Sequence, residues 1–355
     1  MTLADLNELL SIIDPADRQW EERAWERLRS QIRPRGSLGR LEVMAARLAA
    51  IQRSLSPDLG KKLIFTMAAD HGVAAEGVSA YPQEVTAQMV YSFTQGWASI
   101  NVLARHVGAD VRVVDCGVAS DLPDEWPVVH RKIGRGTASF LKGPAMSLED
   151  AEAGVLLGAE LVVRACRDEG YRLIGTGDMG IANTTPSTAI VAAFSGRSAA
   201  ELTGRGTGID DAALQRKIRV IEDGLAVNRP DPNLPMDVLS KVGGFEIAAL
   251  AGAVLGAAAV RTPVICDGFI ATAGALIACR MAPVARDYLF VSHLSQEVGH
   301  GTMVELLGLE PILDLGMRLG EGTGSALAMG IVEASARVLV EIKTFAEAGV
   351  TDTGR

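Results

Sequence analysis

Hydrophobic positions change their spacing twice along the chain. Over the first fifty or so residues they recur at helical intervals. Trp20, Ala24, Leu28 and Ile32 form one stripe, led by Asp14 as an N-cap with Pro15 at the first helical position. Leu41, Met44, Ala45, Leu48 and Ile51 form a second stripe, which predicts a helix over 41–55, and Pro34, Gly36 and Gly39 separate the two. From residue 63 the pattern becomes short, continuous apolar runs, each ending in polar residues or glycine and followed by a helical stretch. LIFTMAA runs into Asp70, His71 and Gly72, VRVV into Asp115, Cys116 and Gly117, and YRLI into Gly175. PVIC runs into Asp267 and Gly268, and YLFV into Ser292 and His293. Beyond Leu313 the helical period returns, with Leu327, Ile331, Ala334, Val338 and Ile342 as the apolar stripe of one long element.

Five repeats of strand, loop and helix predict an α/β fold with a mainly parallel sheet covered by helices on both faces. In such sheets ligands bind beyond the carboxyl ends of the strands, where the polar residues above fall. The helical ends predict a small helical domain assembled from 1–58 and 311–355, beside a large α/β domain over 59–310. The most apolar stretch, 247–260, is shorter than the roughly 20 residues that a bilayer requires. Its small residues Ala248, Gly252 and Gly256 predict a helix packed closely in the core or at a subunit interface.

Composition narrows the function classes. A chain of 355 residues with 48% hydrophobic residues can bury a large core. The formal charge of -9, with no run of Lys and Arg longer than a pair, argues against a nucleic-acid or anionic-membrane surface. Any phosphate must therefore be held locally. Cys116, Cys166, Cys266 and Cys279 lie far apart without a CxxC pair, which reads as reduced thiols in a cytoplasmic protein. Acidic residues near the start leave no export signal to be expected.

Several loops could carry chemistry. GTGDMG, over 175–180, has GxGxxG spacing after a strand. Asp178, however, would set a carboxylate where a pyrophosphate should lie, and the next helix is expected to start late, with Thr185 as cap and Pro186 at its first position. The same glycines would serve a single phosphate or a ribose. A second cluster, over 204–208, precedes a helical stretch with Lys217 and suits a monophosphate held by backbone N–H groups and the ammonium. By spacing alone, an ordinary surface lysine after a flexible loop fits as well. Glu321, between Gly320 and Gly322, fits a favourable dipole partner in a first helical turn or a carboxylate left open to a ligand.

His293, Glu297 and His300 have spacings that one helical face could bring to a metal, but HExxH is absent and Gly299 and Gly301 interrupt that helix. His71 reads as a hydrogen-bonded loop residue. Neither a GxSxG elbow nor a GxxxxGK[ST] loop occurs. A transferase using phosphoribosyl pyrophosphate and Mg²⁺ would need acidic neighbours after a strand, and Asp210 with Asp211 follows glycines instead.

Six segments taken together carry a family resemblance: RGSLGRLE over 35–42, ADHGV over 69–73, GDMGIANTTP over 177–186, SKVGGFEI over 240–247, DGF over 267–269 and RLGEGTG over 318–324. The chain resembles the nicotinate-nucleotide:dimethylbenzimidazole phosphoribosyltransferases from about residue 14 to 342. The resemblance implies a cytoplasmic homodimer with a Rossmann-like domain and a small domain from both chain ends, needing neither metal nor cofactor. It implies transfer of ribose phosphate from nicotinate mononucleotide to 5,6-dimethylbenzimidazole or a related base, in the assembly of the lower nucleotide of cobalamin. Glu321 corresponds to the family's catalytic base. Asp178, where relatives often carry glutamate, would stabilise positive charge on the ribose. Gly180, Lys217, Ser295 and Arg318 correspond to the phosphate and ribose contacts, and Tyr81, Gln88 and Leu319 to the base pocket. A non-catalytic azole- or nucleotide-binding protein is the alternative from another class.

Overall fold

The computed structural model describes residues 5–352; the first four and last three positions of the two terminal segments lie outside the described residues. Six strands form one sheet: β1 (Lys62–Ala69), β2 (Ala109–Gly117), β3 (Val128–His130), β4 (Leu173–Met179), β5 (Val264–Cys266) and β6 (Leu289–Val291). Their order is β3-β2-β1-β4-β5-β6 and every pairing is parallel. All eight residues of β1 are buried, as a mostly apolar central strand covered on both sides requires. The chain leaves β1 toward β2 and β3, then returns to the other side of β1 with β4. That reversal opens a crevice at the carboxyl ends of β1 and β4, the place where Rossmann sheets of this order bind ligands.

The five predicted strands are all present. The sixth, β3, carries little signal because it has three residues, with Pro127 directly before it and Pro123 four positions further back. β4 continues five residues past Ile174, so most of the GTGDMG segment is strand and not a phosphate-wrapping loop. A Cβ at Gly175 would meet Met329 and Ser325 at 3.0 Å, which explains the glycine by close packing of the last long helix.

Helices Leu148–Arg167 and Phe245–Ala259 cross closely, and an added Cβ at Gly252 would lie 1.8 Å from Val155 O. The small residues expected in 247–260 therefore serve backbone approach inside the core. One helix among the described residues, Thr323–Glu341, is long and apolar enough to cross a membrane, but its first half packs on β4 and β5.

Three helical expectations need correction. The first long helix is Arg18–Arg29, capped by Asp17, whose side chain accepts from Gln19 N at 3.1 Å; Asp14 and Pro15 precede it, and Ile32 lies beyond its end. The second spans Arg40–Gln52. In Thr323–Glu341 the buried face is Ala328, Met329, Val332, Ser335, Ala336 and Leu339, whereas Ile331 and Ala334 of the predicted stripe are exposed. Small and hydroxyl side chains let this helix lie close to its neighbours, so hydrophobicity points one residue away from the packed face.

The terminal helices share a second apolar cluster, Ala24, Leu28, Ala45, Ala46, Ala49 and Leu339. Buried Gln31 donates through Nε2 to Val338 O at 2.6 Å, and Arg27 Nε to Leu339 O at 2.8 Å. These bonds satisfy carbonyls at the carboxyl end of Thr323–Glu341.

Candidate active site

The strand ends enclose a cavity of about 570 Å³. Asp178, Gly180, Glu321, Ser295, Arg318, Tyr81 and Leu319 all line it. Lys217 and Gln88 do not.

Glu321 lies on an unusual backbone. Gly320, Glu321 and Gly322 all have positive φ, at 87°, 63° and 101°. The left-handed region is open to glycine but strains a glutamate, at a cost on the order of 1–3 kcal/mol that its surroundings must hold. They do so through backbone bonds. Thr66 Oγ1 donates to Glu321 O at 2.9 Å, and Glu321 N to Asp178 O at 3.1 Å. The Asp267 carboxylate accepts from Gly322 N at 2.9 Å, Gly324 N at 2.7 Å and Ser325 N at 3.3 Å, capping the helix from the end of β5. β4 comes so close that a Cβ at Gly177 would lie 2.3 Å from Glu321 O.

Glu321 is therefore not a first-turn residue of its own helix, whose N-cap is Gly322. Its Oε2 accepts instead from Ile100 N at 3.1 Å, near the start of helix Ser99–Val107. Burial raises the Glu321 pKa, and the Ile100 N–H works against that rise. Asp178 is raised much further, by burial first and then by the negative charge of Asp267, with Glu246 and Glu321 adding to it. Asn183 Nδ2 donates to Asp178 Oδ2 at 2.9 Å, and Asp178 Oδ1 has no protein partner. Asp267 is pushed up to about 7 by burial, opposed by its backbone N–H donors.

The glycine-rich segment 204–208 forms one end of the cavity. Its backbone is partly engaged: Gly206 N donates to Glu297 Oε1 at 3.0 Å, and Arg318 Nη1 donates to Gly206 O at 2.8 Å. Lys217 is fully buried behind this wall, against the reading of a surface lysine. Its Nζ donates to Thr184 Oγ1 at 2.7 Å and to Gly204 O at 3.3 Å. Burial lowers its pKa to about 8, opposed by the charge of Glu297.

Tyr81 and Leu319 stand exposed at the mouth, and Val85 and Met89 also line the cavity. Val85 and Met89 come from the inner side of helix Val85–Thr94. Gln88 is on the solvent side of that helix, outside the cavity.

Sequence reasoning passes over Asn183, Thr184 and Phe269 as site residues and weighs His293 and Glu297 only as metal ligands, though all five line the cavity. Asn183, Thr184 and Phe269 sit inside quoted motifs, which is the available signal. The helix after GDMG runs Thr184–Ser195 with Asn183 as N-cap, two residues earlier than expected. His293, Glu297 and His300 share no helix: His293 follows β6, Glu297 lies in a turn, and His300 opens helix His300–Leu307. Among the described residues no group of three or more His, Cys, Asp or Glu is disposed to hold a metal. Asp210 caps helix Asp211–Asn228 by accepting from Ala213 N, and Asp211 pairs with Arg205, so this acidic pair serves local structure. His71 bonds Glu246 at 2.7 Å in the core.

A family model described as phosphoribosyltransferase matches residues 13–350. The chain is 73% identical over 349 residues to the nicotinate-nucleotide–dimethylbenzimidazole phosphoribosyltransferase of Syntrophobacter fumaroxidans, covering 98% of this chain and 99% of that one. It is 58% identical to the protein of the same name from Geobacter sulfurreducens, covering 99% of each. The crystal structure of CobT from Thermus thermophilus superposes with a TM-score of 0.90 at 46% identity, over 94% of this chain and 99% of that one. By fold and by similarity over nearly its whole length, the chain belongs to the nicotinate-nucleotide:dimethylbenzimidazole phosphoribosyltransferase family.

Proposed function

We propose that this protein transfers the phosphoribosyl group of nicotinate mononucleotide to 5,6-dimethylbenzimidazole or a related base, yielding α-ribazole 5′-phosphate and nicotinate for cobalamin nucleotide-loop assembly. The observation that carries the reading is Glu321, a buried carboxylate held in a left-handed turn and lining the same cavity as Tyr81, Leu319 and a glycine-rich segment backed by Lys217.

In nicotinate mononucleotide the pyridine nitrogen bonded to ribose is cationic. When that bond breaks, its electron pair returns to the ring and neutral pyridine nitrogen departs without protonation. The unprotonated nitrogen of the azole attacks the anomeric carbon from the opposite face, which converts a β donor into an α product. The positive charge so formed on the azole is relieved when its other N–H gives a proton to Glu321, whose raised pKa suits a base working near neutrality. Asp178 faces the cavity; burial and the charge of Asp267 favour its protonated form, and once it loses that proton its carboxylate would stabilise positive charge building on the ribose. Gly180, Ser295 and Arg318 contact the phosphate and ribose, with Lys217 acting on the phosphate through the wall formed by Thr184 and Gly206. Tyr81 and Leu319 flank the incoming base. Gln88, being on the solvent side of its helix, has support for base contact only from the family resemblance.

The same reading includes a cytoplasmic homodimer and a small domain drawn from 1–58 and 311–355, the latter supported by the second apolar cluster. The test incubates purified protein with nicotinate mononucleotide and 5,6-dimethylbenzimidazole and follows both products by chromatography and mass spectrometry. Stoichiometric nicotinate and α-ribazole 5′-phosphate are expected. Tight binding of both compounds with no nicotinate released would instead mark a binding protein.

A further inference from the structure

His293 and His300 follow β6 and lie with ring centroids 6.4 Å apart, yet their hydrogen bonds differ in a way that assigns their protons. A serine or threonine hydroxyl has one hydrogen to give, and a backbone carbonyl can only accept. Ser292 Oγ donates to Asp267 O at 2.9 Å, so its contact with His293 Nδ1, also 2.9 Å, must have the ring nitrogen as donor. The proton of neutral His293 is thereby on Nδ1, leaving a bare lone pair on Nε2. For His300 the same reasoning runs the other way. Thr272 Oγ1 donates to Gly268 O at 2.7 Å, so His300 Nε2 is the donor in its 2.9 Å contact with Thr272, and His300 Nδ1 accepts from Ser295 N at 2.9 Å. His300 is satisfied at both nitrogens.

His293 is not. Its ring is 1% exposed and lines the cavity beside Gly268 and Ser295, but Nε2 has no protein partner. Burial also lowers its pKa, which keeps the ring neutral. A buried acceptor left unpaired costs on the order of 1–3 kcal/mol unless something else satisfies it. Another unpaired buried oxygen, Glu297 Oε2, belongs to the same cavity wall. The wall therefore calls for a ligand that brings hydrogen-bond donors.

Among the groups of the two proposed substrates, phosphate and nicotinate carboxylate bring acceptors, and the single N–H of the azole goes to Glu321. The ribose brings two hydroxyls. Resting on the function proposed above, we infer that His293 Nε2 accepts a hydrogen bond from the 2′- or 3′-hydroxyl of the donor ribose, making His293 a recognition residue for the sugar.

The test is a kinetic cycle. Wild-type protein and His293→Phe, which keeps a planar ring but cannot accept, are compared on nicotinate mononucleotide and on its 2′-deoxy and 3′-deoxy analogues. Wild type is expected to lose about tenfold or more in kcat/KM on the analogue lacking the bonded hydroxyl, the value of one good hydrogen bond. His293→Phe should lose a similar factor on the natural donor and show no further loss on that analogue. Equal discrimination by wild type and variant on both analogues overturns the inference. A second measurement needs no variant: ¹⁵N NMR of the ligand-free protein should find His293 protonated on Nδ1 alone, with the Nε2 resonance shifting on addition of nicotinate mononucleotide. A protonated Nε2, or no shift at saturation, also overturns it. If wild type neither binds nor turns over nicotinate mononucleotide, the proposed function falls together with this inference. Normal turnover with unchanged discrimination removes the role of His293 alone.

Discussion

Glu321 on the floor of the cleft is 5% exposed, whereas Tyr81 and Leu319 at its mouth are each 56% exposed. The floor is held by bonds from several elements: Thr66, Asp178, Asp267 and Ile100 all bond Glu321 or the helix start behind it. The mouth is held by bonds at the surface, among them Ala80 N donating to Thr207 Oγ1 at 2.9 Å. A carboxylate on the floor can be moved only by disturbing several strands and helices together. A side chain at the mouth can change while the sheet stays as it is. The contrast places the proposed chemistry in the rigid part of the molecule and the choice of base in the part that is free to vary.

The largest expected effect tests the floor. Glu321→Gln keeps the shape and the Ile100 bond but cannot take a proton, so kcat should fall by about 10²–10⁴-fold, the usual worth of a general base, with donor binding kept. Unchanged turnover, measured by nicotinate release, would remove Glu321 from the mechanism. Next comes the backbone beneath it. Gly177→Ala would thrust a methyl against Glu321 O, and overpacking of this kind costs about 1–3 kcal/mol. Urea titration should find that loss together with lower kcat, while a variant as stable and active as wild type would mean that the turn is less constrained than described.

Smaller effects belong to the glycine-rich end and the mouth. Lys217 has its pKa lowered to about 8, so its ammonium neutralises above that pH and attraction for the donor phosphate is lost. kcat/KM for nicotinate mononucleotide should therefore fall as pH rises through about 8, and Lys217→Ala should abolish this alkaline limb. On the acid side activity should fall as Glu321 gains a proton, at higher pH than for an ordinary glutamate because its pKa is raised. An alkaline limb that survives in Lys217→Ala would assign it to another group. Tyr81→Ser should change the ranking of bases in a competition assay and leave donor KM nearly constant. The smallest effect is expected for Gln88→Ala, within roughly ±0.5 kcal/mol, or about twofold in the base KM, as for an ordinary surface position. A large loss there would mean that the outer side of helix Val85–Thr94 meets the base.

Much of this is legible in the residues. Apolar runs ending in Asp, Ser or Gly give away five of the six strands and the end of the sheet where ligands are expected. β1, β5 and β6 are buried throughout, as strands covered on both faces must be. Less legible is anything set by shape. The face of Thr323–Glu341 that packs is lined by Ala, Ser and Met, so hydrophobicity points to the other side, with Ile331. The GxGxxG spacing suggests a phosphate loop, but Gly175 and Gly177 are small because a helix and the Glu321 turn press on β4. His293 and Glu297 have the spacing of partners on one helix, and a turn separates them.

By itself the sequence determined the strand and helix alternation, the family and the short list of polar residues at strand ends, because these follow from local pattern and from motifs carried in order. Only the tertiary structure decided which of those residues face one cavity. It set the left-handed turn of Glu321, the burial of Lys217 behind the wall, the exposure of Gln88 and the proton position on His293. Each of these depends on atoms brought together from segments far apart in the chain, and distance through space is not written in spacing along it.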